Sequence, residues 1–296
     1  MAMSGNDWDT YDLCAYNITI QFQDTVTFFG MDPLPQLSLV SNEIFSNQSL
    51  LFHMDRAMLG MGVHSFGFQL LKALGYESFN STLITGERII LTICGEQHYT
   101  NPNVCLLDMD DDNILLLLRA NKEPEELEFS QKDPEPQLIA EAIAAFQRDN
   151  ARRHTLGQDP IDVKVMPAIV LTGSSPTFLK IPVTKELAQA VELGQFPTTP
   201  TTVCAHLPVV PSPTLHLCDI LKPLDNQRQI LACFEAFKLF VKGYYDGWIW
   251  GSLWTQTIVS ENAQIHYGFL CNCFTGVFTR LYWWSFFNIA YCLLAC

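Results

Sequence analysis

The chain has 296 residues, 48% of them apolar, and 31 Asp and Glu against 17 Lys and Arg give a net charge of −14 and a pI near 4.8. So acidic a balance repels a polyanion at long range, because affinity for nucleic-acid backbones comes from cations that neutralise phosphates, and general DNA or RNA binding is therefore disfavoured. The acidity sits in the first 150 residues, where 7 Lys and Arg stand against 22 Asp and Glu.

The start MAMSGNDWDTYDL is acidic and polar and shows no n-region, h-region and cleavage site. The expectation is a chain of the cytoplasm or nucleus, with its ten cysteines reduced and acting as small hydrophobes.

Taken in chain order, residues 1–50 mix aromatic, polar and Pro residues without sustained period, which predicts an irregular N-terminal arm with one strand near residues 16–22. Over residues 58–74 the positions Met61, Phe68, Leu70, Leu71 and Leu74 recur at helical spacing, and Gly75 follows as a C-cap. Three β-type runs come next, at 88–94 (RIILTIC), 104–107 and 114–118, and continuous aliphatic runs predict central strands covered on both faces. The turn-formers MDDDN between the last two predict a hairpin.

A Glu-rich segment at 123–136 reads as a solvated loop. Asp133 and Pro134 then open a helix with Leu138, Ile139, Ala142, Ala145 and Phe146 on one stripe, and with Arg148, Arg152 and Arg153 near its C-terminal end, where cations suit the macrodipole. Strands are expected at 165–171 and 178–183, then a helix capped by Thr184 and ended by Gly194. Residues 195–223, rich in Pro and Thr, read as extended structure, and 224–241 as an amphipathic helix.

Residues 246–296 form a hydrophobic, aromatic-rich tail in which only Asp246, Glu261 and Arg280 are charged. Its last 16 residues are uncharged, short of the roughly 20 that span a bilayer, so a membrane tether, a buried or partner-covered tail and, since the segment obeys no clear period, a mispredicted gene end stand as alternative readings.

The order helix, three strands, helix, strand resembles the core of the PD-(D/E)XK nuclease superfamily. The stretches ICGE, NVCLLD, ILLLLRANK, DPEPQLIAEAIAAFQ, LTGSSPTFLKIPVT and ILACFEAFKLFV also resemble an uncharacterised protein family frequent in mushroom-forming fungi. The resemblance covers roughly residues 52–241 and implies an α/β fold: a restriction-endonuclease-like αβββαβ core with a mixed central sheet at residues 51–245, plus extra C-terminal helices.

In that superfamily an Asp begins the second core strand, Glu-x-Lys closes the third, and a Gln lies on the inner face of the following helix. Two carboxylates hold Mg²⁺, which lowers the pKa of a bound water, while the Lys stabilises developing charge. The matching positions are Asn103 for the Asp, Ala120 for the Glu, Lys122 for the Lys and Gln137 for the Gln. With both carboxylates replaced, the resemblance implies a vestigial site without a metal cofactor, and a pseudo-nuclease or interaction module whose protein partner and oligomeric state are left open. A second reading takes Lys122 as an ordinary strand-end lysine paired with Glu123 or Glu125. A third is an active Mg²⁺-dependent DNA endonuclease whose carboxylates have migrated, with Glu96, Asp108 and Glu141 directed at Lys122.

Other constellations carry less. Asp108, Asp110 and Asp112 mimic the start of a calcium loop, but no Gly holds the sixth place and Arg119 occupies the twelfth, so an acidic turn is expected. Cys204-x-His206, His216-x-Cys218 and Cys271-x-Cys273 have spacing too tight for paired zinc ligands. Gly173-Ser-Ser-Pro lacks the lysine of a phosphate loop and reads as a turn between strands.

Overall fold

The computed structural model describes residues 4–37, 44–121, 133–216 and 219–245. The first elements are helix α1 (Thr10–Ala15), strand β1 (Ile18–Phe22) and helices α2 (Thr25–Phe29), α3 (Gln48–Met58) and α4 (Val63–Ala73). Strands β2 (Ser81–Thr85), β3 (Ile89–Ile93), β4 (Glu96–Thr100), β5 (Val104–Asp108) and β6 (Ile114–Asn121) follow, then helix α5 (Pro134–Thr155). Strands β7 (Val163–Thr172) and β8 (Ser175–Thr184), helix α6 (Lys185–Leu193), strand β9 (Thr201–His206) and helix α7 (Leu224–Tyr245) complete the described chain.

Seven strands form one mixed sheet in the order β1-β9-β8-β7-β6-β5-β2, and β3 and β4 pair separately. The pairs β2/β5, β5/β6, β7/β8 and β8/β9 are antiparallel, whereas β6/β7 and β1/β9 are parallel. The fold is therefore α/β, as expected from the sequence.

The aliphatic run of β6 shows why the sheet is central. Its first five residues, Ile114 to Leu118, are all buried, which happens only when both faces of a strand are covered. Leu116 and Leu118 point to one side, into a cluster with Phe66 and Leu70 of α4, Met54 of α3 and Phe234 and Phe237 of α7. Leu117 points to the other, into a cluster with Ile139 and Ile143 of α5, Leu187 and Val191 of α6, and Ile89 and Leu91 of β3. Successive side chains of a strand alternate between faces, so one run feeds two cores.

Two expected elements are placed differently. The helix read at 58–74 is α4 and starts later, at Val63, because Gly60 and Gly62 both adopt positive φ (67° and 66°) and separate it from α3, a preceding helix that was not expected. The run at 88–94 contains β3, but that strand leaves the main sheet and forms a hairpin with β4 whose apolar face packs with α5 and α6. The first strand of the antiparallel meander is instead β2, a five-residue edge strand of sequence STLIT. An edge strand needs only one buried face, so β2 alternates and lacks the unbroken aliphatic run of a central strand.

The N-terminal arm is also more ordered than its sequence suggests. The strand expected near residues 16–22 is β1, which closes one edge of the sheet by pairing with β9. That partner comes from the Pro- and Thr-rich segment read simply as extended structure. The β5–β6 hairpin, α5 opened by Pro134, and α6 capped by the Thr184 hydroxyl and ended by Gly194 in the left-handed region all stand where the residues predict them.

Candidate functional site

The β5–β6 hairpin brings two of the named positions into contact. Asn103 directly precedes β5, and its amide N–H donates to the Leu118 carbonyl at 3.1 Å. Its side-chain Oδ1 accepts the backbone N–H of Ala120 at 2.7 Å. The Asn side chain thus continues the ladder one step beyond the last strand pair, Val104 with Leu118. Ala120 packs against the core on the α4 side.

Lys122 lies outside the described residues, as do residues 123–132.

On the opposite face of β6, Arg119 forms an ion pair through Nη1 with Oε1 of Glu141, which α5 presents and which is 0% exposed. Burial pushes the Glu141 carboxyl up to about 7, and the Arg119 guanidinium restrains the rise without cancelling it. Oε2 of Glu141 is buried and has no hydrogen-bond partner among the described residues. Gln137, one turn earlier on α5, is buried too. Since Ala120 and Arg119 are successive residues of a strand, Glu141 is paired on the face away from Ala120.

The remaining candidate acids lie elsewhere. Asp108 ends β5, so it is separated from Asn103 by the length of that strand, roughly 17 Å at about 3.4 Å per residue. Its Oδ1 accepts the N–H groups of Asp110 (2.8 Å) and Asp111 (3.4 Å), which makes it the organiser of the hairpin turn. Asp110 accepts from Asn80, and Asp112 binds Arg148 and Arg152 of α5 at 2.7 and 3.2 Å, so the calcium-like spacing is used to fasten a turn to a helix. Glu96 opens β4 in the separate two-stranded sheet, exposed and beside His98. Glu96, Asp108 and Glu141 are not brought together.

Magnesium asks for hard oxygen donors with formal negative charge. At the Asn103 end of the hairpin the described donors are one amide oxygen, already accepting from a backbone N–H, and a methyl group. This set does not fit the ion. Among the described residues no three His, Cys, Asp or Glu side chains are placed to hold a metal. His206 is buried, hydrogen-bonded through Nδ1 to the Gln23 carbonyl and stacked on Phe28, and Cys204 lies beside Lys180 across the β8–β9 pair. Cys218, Cys271 and Cys273 lie outside the described residues. Gly173 and Ser174 form the β7–β8 turn, with Gly173 at φ 59°.

The buried pairing of two basic residues, Arg119 and Lys164, escaped the sequence reading. Arg119 is the only charged residue of β6, and that interruption of an aliphatic run was the available signal. Lys164, at the start of β7, is 4% exposed, donates to the Ile114 carbonyl at 2.7 Å, and pairs with the equally buried Asp149 of α5 at 2.5 Å. Nothing in the spacing of residues 149 and 164 announces that contact.

A scan against protein-family models and a search of curated proteins each return no match.

Proposed function

We propose that this chain is a non-catalytic, nuclease-like domain that serves as a protein-interaction module. The elements α4, β2, β5, β6, α5 and β7 run helix, three antiparallel strands, helix, and a strand parallel to the third, which is the order the PD-(D/E)XK resemblance calls for, with the β3–β4 hairpin inserted. The observation that carries the functional reading is the 2.7 Å bond from Ala120 N–H to Asn103 Oδ1. The two positions where the superfamily keeps its metal-binding acids are neighbours, yet one is a neutral amide spent on the backbone and the other has no donor. A phosphodiester hydrolase without charged metal ligands loses both the polarised phosphate and the activated water. The acidic charge of the chain points the same way, since it opposes a polyanionic substrate. The reading places the protein in the cytoplasm or nucleus, and none of the described helices is long and apolar enough to cross a membrane.

Calorimetric titration with Mg²⁺ and Mn²⁺ tests it, paired with a plasmid-nicking assay at low salt. The wild-type chain is expected to give neither heat of binding nor nicking, and Asn103→Asp combined with Ala120→Glu is expected to gain metal binding. Plasmid cleavage by the wild type that disappears in Lys122→Ala would overturn the proposal and restore an active endonuclease.

A further inference from the structure

Among the described residues the seven-stranded sheet ends in two edges, and the chain treats them differently. At β2, the Glu77 carboxylate accepts the outward N–H of Leu83 at 3.0 Å and the Thr82 hydroxyl at 3.3 Å, so a side chain occupies the place of a further strand. Among the described residues no side chain does this at β1. The Thr201 N–H donates to the Asn17 carbonyl, and the Gln23 N–H donates to the Ala205 carbonyl. In a parallel ladder these bonds fix the parity: Asn17, Thr19, Gln21 and Gln23 turn their backbone groups to β9, and Ile18, Ile20 and Phe22 turn theirs outward. Ile18 is 3% exposed, which leaves Ile20 and Phe22 as the accessible part of the edge, and Phe22 is 62% exposed.

We propose that β1 is the pairing edge of a symmetric dimer, in which a second copy of this chain lays its own β1 antiparallel across a two-fold axis at Gln21. This rests on the strand itself and not on the nuclease kinship.

Three observations select a second copy. First, the parity closes on itself. With the axis at Gln21, Ile20 faces Phe22 of the partner and Phe22 faces Ile20. Both residues have outward N–H and C=O groups, so each pair exchanges two backbone hydrogen bonds. Second, the same register seats the exposed Phe22 ring against Ile20, which already packs with the core on that face, so the apolar layer continues across the axis. Third, residues 17–23 (NITIQFQ) carry no charge in a chain of net charge −14, so the strand itself sets no like charges face to face when two copies meet. Isologous pairing of this kind is the commonest symmetry of soluble oligomers.

The register places Gln21 opposite itself, with Cα atoms about 4.5 Å apart as a non-hydrogen-bonded pair. That gives a test by sedimentation equilibrium of the full chain. Wild type is expected to show dimer mass. Gln21→Lys and Gln21→Glu, both at an exposed position, are each expected to fall to monomer mass at the same concentration with unchanged circular dichroism, because like charges then lie face to face. An equimolar mixture of the two variants is expected to recover the dimer. A wild type that stays monomeric, a dimer unmoved by both variants, or a loss of dimer that the mixture does not rescue would each overturn the proposal. The last two outcomes would direct the search to another surface or to a strand from a different protein.

Discussion

Glu141 offers the sharpest quantitative test of the buried charge beneath β6. Its carboxyl ordinarily titrates at 4.5, and burial pushes it up to about 7 in the folded chain. Below 4.5 folded and unfolded states both hold the proton. Between 4.5 and 7 the unfolded chain releases it while the folded chain keeps it. The folded state then binds more protons, so stability falls with rising pH by about 1.4 kcal/mol per unit, about 3 kcal/mol across the interval, and the loss is complete once pH passes the folded value. Replacing Glu141 with Gln keeps an acceptor for Arg119 and removes the titration. Urea unfolding at pH 5, 6, 7 and 8 reads the result: the stability of Glu141→Gln relative to wild type is expected to rise between pH 5 and 7 by about 2 kcal/mol and to level off above it. Two denaturation series that run parallel at all four pH values would refute the reasoning, because the buried acid would then have the same proton affinity in both states. Arg119→Met supplies the opposite perturbation. Without the guanidinium that restrains it, the Glu141 carboxyl rises further, and the loss of stability is expected to extend to higher pH.

Three further substitutions probe the frame around the site. Gly67 of α4 lies so close to the sheet that an added Cβ would stand 2.7 Å from Leu171 Cδ1 and 3.0 Å from Leu118 Cδ2, so Gly67→Ala is expected to cost about 1–3 kcal/mol in denaturant unfolding despite its better helix propensity. Lys164→Met leaves Asp149 buried without its cation and is expected to lose about 3–5 kcal/mol, while adding Asp149→Leu to the same chain recovers much of it, a contrast that a double-mutant cycle measures. Asn103→Ala deletes the acceptor for the Ala120 N–H and is expected to cost about 1 kcal/mol, whereas Asn103→Asp keeps that acceptor and stays near wild type in the same assay.

The fold class and several individual elements were determined by the sequence itself, and the reason is local. Ile114 to Leu118 cannot face water on either side, so they specify a central strand; Asp108 to Asn113 supply the turn; Pro134, Thr184 and Gly194 mark helix ends through backbone preferences that need no distant partner. That Asn103 lies near the end of β6 was legible too, because strands joined by a short turn pair and bring the start of one beside the end of the other; the bulge between Leu106 and Leu107 that sets the final register was not. Tertiary structure decided the rest. Any strand can offer hydrogen bonds to any other, so the sequence of β3, richer in aliphatic residues than β2, could not say that β2 takes the place beside β5 and β3 turns away into its own hairpin. Nor could it say that residues 18–22 pair with residues 201–205, a contact whose partners lie far apart along the chain. The pairing of Glu141 with Arg119 follows from how α5 lies on the sheet, and that placement is set by the summed packing of two apolar layers rather than by any residue near either charge.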